Sequence, residues 1–229
     1  MNDPRPCVHR LPWPIGLGVI VLATICALSL AGCQPSGYLL YLIAPEGPGE
    51  TVEAEFTALE NHSVAVVVYA DPGVQYEYPF CRLTVATTVG SELRNRVKGI
   101  RLIEPVKVIK YQDQNAYWES MPKTDLAKAL GADYVLYVTL VEYTTREPGS
   151  LDLLRGRITA QCSVYQAGLA ERDSAVWRGK DIVILYPPNG PAGGSVGQDD
   201  TAIRVPTERL FAEELARKFY KHKAPKKES

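Results

Sequence analysis

Histidine, methionine and net charge are all scarce in this 229-residue chain, which has three histidines, two methionines and a formal charge of −1. With 25 basic against 26 acidic side chains, no field exists to concentrate a polyanion. Sequence-independent nucleic-acid binding therefore lacks its driving force, and no nucleic-acid partner is expected. Beyond His9 only His62 and His222 remain, one beside an apolar run and one near a basic terminus, so no Ser-His or Cys-His pair with usable geometry can be drawn. No Cys/His spacing suits zinc, and Asp199-Asp200 lacks a calcium-loop pattern. The glycine-rich stretch 189–198 lacks the Gly-Lys-Ser/Thr ending and following helix of a phosphate cradle. The expectation is a non-enzymatic protein without metal, cofactor or small-molecule substrate. Bulk disorder is not expected, because 46% of residues are hydrophobic and only 22% charged.

Long apolar runs are also scarce, and the position of the exception is informative. Residues 1–14 carry Arg5 and Arg10 against Asp3, and residues 15–30 then run apolar without a charge. Sixteen residues at 1.5 Å each span roughly 24 Å, short of the roughly 30 Å hydrocarbon core, so a secretory signal fits better than a spanning helix. The run closes on Leu30-Ala31-Gly32-Cys33. This motif resembles the lipobox of bacterial lipoproteins: a branched apolar residue, two small ones and the cysteine that is lipidated after cleavage. The resemblance implies removal of residues 1–32 and a thioether-linked diacylglyceryl group plus an N-acyl chain, palmitate for instance, on Cys33. Those chains bury far more methylenes than one myristoyl group and give stable attachment. It also implies a mature protein on a membrane facing the periplasm. An aspartate after the lipidated cysteine commonly marks inner-membrane retention, and Gln34 stands there, which favours the outer membrane.

Cys7 and Cys26 leave with the signal and Cys33 takes the lipid, so Cys81 and Cys162 remain in an oxidising compartment. They could form one bridge. Cys162, however, lies in register with Ile158, Ala160 and Val164 on what reads as a buried strand face, and an unpaired core cysteine is an equal alternative.

Residues 33–59 read as a lipidated tether and first strand. Within them, 37–45 is an apolar stretch, either a docked strand or a membrane-hugging tether, and 51–59 alternates with strand period. An α/β domain occupies 60–220. Its β-branched run 64–69 reads as a strand covered on both faces, ended by a turn at Asp71-Pro72-Gly73. Val85, Val89, Leu93 and Val97 recur at i+4 and mark a helix of about 17 residues, with Gly99-Ile100 as its cap. Residues 105–111 place Val106 and Val108 opposite Lys107 and Lys110 and read as a second strand; 122–130 reads as a short helix stopping at Gly131. Residues 133–143 should be the central strand, 157–166 an alternating strand, and 176–186 a last β segment. The loop 187–200 reads as a flexible excursion, Thr207 as the cap of a helix burying Phe211, Leu215 and Phe219, and 221–229 as a loose basic tail, which either touches anionic headgroups or is simply solvated. The order β-α-β-α-β-β-β-α predicts an α/β sandwich with a mixed sheet.

Three of these features carry a second resemblance: the run 64–69, the segment Leu126-Ala127-Lys128-Ala129-Leu130-Gly131-Ala132-Asp133-Tyr134-Val135-Leu136, and the hairpin from 157–166 to Val176-Trp177. Together they are similar to the periplasmic lipoproteins and modules related to the CsgG secretion lipoprotein and the TolB N-terminal domain. This resemblance implies a protein-binding accessory or assembly module, or alternatively a subunit of a CsgG-like oligomeric export complex. No pair of long alternating segments that would build a membrane-spanning barrel is present, which favours the accessory module. In open α/β sheets, sites lie beyond the carboxyl ends of parallel strands, here the loops 71–79 and 112–120. Tyr76, Glu77 and Tyr78 from one, with Asp113, Tyr117 and Trp118 from the other, have interface-like composition; they either form a partner surface, for an envelope protein or a second copy, or cover the sheet ends.

Overall fold

Val64-Ala65-Val66-Val67-Val68 has no polar side on which to meet water, and the structure gives it none. The computed structural model describes residues 51–150, 152–169, 173–190, 192–193 and 200–224, and Thr51–Ala224 forms one compact unit. Leu30, Ala31, Gly32, Cys33, the tether to residue 50, half of the loop 187–200 and the tail from 225 lie outside the described residues. Strand β2 (Ser63–Ala70) pairs in parallel with β4 (Tyr134–Arg146), in register from Val64 against Tyr134 to Ala70 against Leu140. Alternate β2 side chains enter two different cores. Val64, Val66 and Val68 pack with Val85, Val89 and Leu93 of α2 (Cys81–Arg96) and with Phe211 and Leu215 of α5 (Thr201–Ala216). Ala65 and Val67 pack on the other face with Val108 of α3 (Pro105–Gln114), Trp118, and Leu126 and Ala127 of α4 (Lys123–Ala129). Each fully buried valine contributes roughly 1.5–3 kcal/mol.

The sheet is mixed. β3 (Arg101–Leu102) pairs in parallel with the start of β2, while β5 (Leu153–Gln166) is antiparallel to β4. Along the outer edge of β5 run three short antiparallel pieces, β6 (Ala175–Arg178), β7 (Ile182–Tyr186) and β8 (Ala192–Gly193). The fifth helix, α1 (Pro72–Glu77), and a final 3-10 turn, Arg217–Phe219, complete the helices among the described residues. At the periphery a two-residue ribbon joins β1 (Thr51–Val52) to β9 (His222–Lys223).

Several expectations are corrected. Residues 105–111 are helical: Pro105 stands at the first helical position, which suits its fixed φ, and Val108 and Gln112 share the buried face at i+4. Val106, which should have stood beside Val108 in a strand, is 65% exposed. Asp71-Pro72-Gly73 is a helix start, because the Asp71 carboxylate accepts the backbone N–H groups of Gly73 and Val74 at 2.7 and 3.1 Å. Helix α2 ends at Arg96, so Gly99, at φ +67°, belongs to the turn beyond its cap; Gly131, also at φ +67°, does come directly after α4 and its cap as expected. Of residues 51–59 only the first two are a strand; beyond them Glu55 and Phe56 donate to the Lys218 carbonyl, and Leu59 is buried in the first core. The segment 176–186 is two strands, and β8 lies within the expected excursion 187–200. The tail is paired as far as Lys223, with Lys221 Nζ bonded to Glu53 at 2.5 Å. Cys81 and Cys162 are free and buried, which settles their alternatives against a bridge.

Helix α5 begins at Thr201, six residues before the expected cap, and carries Pro206 inside it. Proline removes one N–H near a helix start but keeps helical φ. Thr207 is therefore mid-helix, its hydroxyl donating to the Ile203 carbonyl at 2.7 Å, and it rests on Gly156 of β5. A methyl group at Gly156 would collide with Thr207 Oγ1 and come within 2.9 Å of its Cβ. Gly156→Ala should cost about 1–3 kcal/mol through this overpacking. Urea unfolding checks it, and Gly156→Ala combined with Thr207→Ala is expected to recover part of the loss.

Candidate functional site

The expected aromatic surface is divided by the sheet. Tyr78 is half-buried against the first core, with its ring 5.0 Å from that of Tyr143. Trp118 is buried in the second, on the opposite face, its ring 6.3 Å from Tyr69 and 6.4 Å from Tyr137. Trp118 therefore offers no ring to a partner, while the half-buried Tyr78 lines an open cleft with Phe80. Asp113 ion-pairs with Arg82 at 2.8 Å and joins α3 to α2. Tyr76 and Tyr117 do face solvent, at 91% and 84% exposure.

A cleft of about 380 Å³ opens where β2 hands over to the helices, lined by Glu77, Tyr78, Phe80, Tyr143, Asp200 and Arg204 among others. Its floor exists because β4 is irregular. Leu136, Val138 and Leu140 face the first core, and strict alternation would send Glu142 and Thr144 there next. The register shifts between Leu140 and Glu142, Val141 turns outwards, and Tyr143 and Thr145 take the inward positions. A bulge inserts one residue and reverses the parity beyond it.

Two hydrogen-bonded chains then fix the cleft. Tyr143 donates to Glu208 Oε1 at 2.5 Å and Thr84 donates to the same oxygen at 2.7 Å, with Arg204 Nη1 3.7 Å away. Thr145 donates its backbone N–H to the Tyr78 hydroxyl at 3.1 Å and its own hydroxyl to Asp200 at 2.6 Å. Burial first, and then the Glu208 carboxylate, push the Tyr143 phenol far above its ordinary range, so it stays neutral and keeps the proton that it donates to Glu208. Burial likewise pushes the Cys81 thiol up to about 11, so at neutral pH it stays a thiol and a poor nucleophile. None of Thr84, Tyr143, Thr145, Asp200, Arg204 and Glu208 is named as a site residue by sequence reasoning. One signal was available. Glu208, at 4% exposure, sits on the same helical stripe as Phe211 and Leu215, and an acid on an apolar stripe needs a buried partner.

Large apolar side chains stand exposed beside the cleft. Phe80, between α1 and α2, is 71% exposed. Leu83 lines both the cleft and a second groove of about 390 Å³, which it shares with Val106, Ile109 and Lys110 of α3. Among the described residues no cluster of three or more His, Cys, Asp or Glu side chains could hold a metal, and no described helix is long and apolar enough to cross a membrane.

No protein-family model matches the chain, and neither does any curated protein. Among solved structures, the chain is similar to PelC of Paraburkholderia phytofirmans, a dodecamer, at 12% identity and TM-score 0.39 over 74% of this chain and 96% of that one. It is also similar to lipoprotein GNA1162 of Neisseria meningitidis, at 19% identity and TM-score 0.37 over 56% and 83%. A further likeness is to a putative lipoprotein of Caulobacter crescentus CB15, at 14% identity and TM-score 0.32 over 68% and 82%. The similar structures thus include bacterial lipoproteins, and likeness at this level transfers no activity, partner or residue role.

Proposed function

We propose that this is a non-catalytic envelope lipoprotein, held on the periplasmic face of the outer membrane by lipid on Cys33, whose domain binds a protein partner at the corner of α1 and α2. The observation that carries this reading is the exposure of Tyr76 and Phe80 near a groove in which Leu83, Val106 and Ile109 stand beside Lys110, Asp113 and Gln114. Aromatic anchors next to a preformed apolar groove are what partner surfaces concentrate. Burial keeps the Cys81 thiol protonated, and the cleft therefore offers no thiolate nucleophile, which supports a non-catalytic role.

Two variants test the two halves. Cys33→Ala should release the chain from sedimented membranes into the soluble fraction, and unchanged sedimentation would sink the lipid anchor. Tyr76→Ser with Phe80→Ser should abolish cross-links to envelope proteins in intact cells while the unfolding midpoint stays within the small range usual for surface changes, about 0.5 kcal/mol. If the foreign cross-links persist, the corner is not the partner surface. A ladder of the chain with itself, lost in the same variant, would turn the reading towards the oligomeric export subunit.

A further inference from the structure

The two edges of the main sheet are finished differently. At one edge β3 covers only Ser63 and Val64 of β2. Beyond it the carbonyls of Val68 and Ala70 accept side-chain N–H groups, from Gln112 at 3.1 Å and from Gln75 at 2.6 Å. Two glutamines thus occupy the acceptors that an open edge would show to a passing strand. At the other edge β6 and β8 are protected by brevity, with four residues and two, and β6 carries Arg178 and meets β5 in an irregular register. β7 has none of these protections. Ile182-Val183-Ile184-Leu185-Tyr186 holds no charge, proline or glycine, and its register with β5 is unbroken from Ile182 against Ala160 to Tyr186 against Gly156. An uncharged, β-branched edge of this kind invites another strand.

The open backbone groups of β7 follow from β5. The Cys162 carbonyl accepts the Gly179 N–H at 3.0 Å, so Cys162 directs its backbone groups towards this edge, and alternation does the same for Ala160, Ile158 and Gly156. Their register partners Ile182, Ile184 and Tyr186 therefore turn their own N–H and C=O groups inward. Val183 and Leu185 turn theirs outward, and among the described residues nothing bonds to them. The Val183 side chain is 58% exposed. Beside this edge a groove of about 430 Å³ separates β7 from the end of α5, with Ile182, Val183 and Ile184 on one wall and Glu214 and Lys218 on the other. Glu214 and Lys218 stand one turn apart and ion-pair at 3.3 Å.

We propose that β7 pairs antiparallel with β7 of a second copy of this chain, across a two-fold axis at Val183. About that axis the outward N–H and C=O of each Val183 bond to those of the other, Ile184 lies beside Ile182 of the second copy, and the two exposed valines cover each other. Charge selects a second copy as the occupant. The strand carries none, so it meets itself without repulsion. The groove wall carries one charge of each sign at the level of Val183, and a two-fold axis sets Glu214 of each copy towards Lys218 of the other, two complementary pairs from one surface. The corner of α1 and α2 follows β2, three strands away in the order β2-β4-β5-β7, so self-association and partner capture use different surfaces.

The test is the mass of the full chain in detergent solution by sedimentation equilibrium, for the native chain, Val183→Lys, Val183→Glu and an equimolar mixture of the two variants. The native chain should be a dimer, each variant should have half that mass with an unchanged urea midpoint, and the mixture should be dimeric again, because opposite charges then meet on the axis. A monomeric native chain overturns the pairing, as does a dimer that persists in both variants or a mixture that stays monomeric. Val183→Cys, oxidised in intact cells, gives a check free of introduced charge, since Cys81 and Cys162 are buried. It should join the chain to itself, and a bond to a foreign protein instead assigns the edge to that protein and overturns self-pairing. Tyr76→Ser with Phe80→Ser should leave the dimer intact; its loss there would move self-association to the corner and overturn the edge.

Discussion

Trp118→Ala is expected to destabilise the domain by roughly 3–5 kcal/mol, the cost of truncating a buried aromatic. That is a large share of a typical total of about 5–15 kcal/mol. Trp118 is 5% exposed and closes the second core, a small one, where Ala65, Val67, Val108, Leu126 and Val135 are its companions. A small core cannot collapse around the void, because the sheet fixes one wall and α3 and α4 fix the other two. Tyr117→Ala, one residue earlier and largely exposed, should change stability by no more than about 0.5 kcal/mol. Urea midpoints of the two variants decide the matter. Equal effects at 117 and 118 would mean that the connector between α3 and α4 is not anchored by the tryptophan.

This pair also marks what the sequence could and could not tell. Tyr117 and Trp118 look alike in a polar loop, and nothing local says which ring turns inward; that depends on Tyr69 and Tyr137, contributed by strands far away in the chain. Elements whose pattern is unambiguous were legible. The runs 64–69 and 134–141 have no polar face and become β2 and β4; the i+4 series from Val85 becomes α2; the alternation around Cys162 becomes β5, with Cys162 inward as expected. Short segments misled where two periods fit the same residues. Val106 and Val108 satisfy a strand, and Val108 and Gln112 satisfy a helix; Pro105 was the deciding residue, because it starts a helix readily and serves a strand poorly. The loop 71–79 is legible as a place where side chains converge, but the cleft floor is not. The bulge at Val141 reverses which of Glu142 and Tyr143 points inward, and a bulge leaves no mark in the periodicity until the register is seen.

Glu208→Ala is the second change with a large expected effect. The carboxylate is the common acceptor of Tyr143 and Thr84 and the counter-charge of Arg204, so its removal strands the buried Tyr143 phenol and a partly buried cation, while the half-buried Thr84 hydroxyl keeps the Cys81 carbonyl at 3.3 Å. Each stranded group costs about 1–3 kcal/mol, and since Arg204 retains access to water, a total of roughly 2–5 kcal/mol is expected. Glu208→Gln keeps an acceptor oxygen of the same shape and should lose only about 1 kcal/mol, the difference between a charge-assisted and a neutral bond. Tyr143→Phe removes one donor and leaves Thr84 to the carboxylate, again about 1 kcal/mol. The informative measurement is the cycle of Glu208→Ala and Tyr143→Phe. If the network is a unit, the double variant should be less destabilised than the sum of the singles, because the phenol that Glu208→Ala leaves unpaired is gone. Additive losses would show that Glu208 holds α5 to β4 through packing alone. The outcome bears on function through position. Asp200 and Glu208 tie the first half of α5 to the walls of the cleft, and Phe80 and Leu83 border the same cleft. A coupled network would mean that the corner carrying Tyr76 and Phe80 is braced from beneath, giving those exposed rings the fixed positions that a partner surface needs.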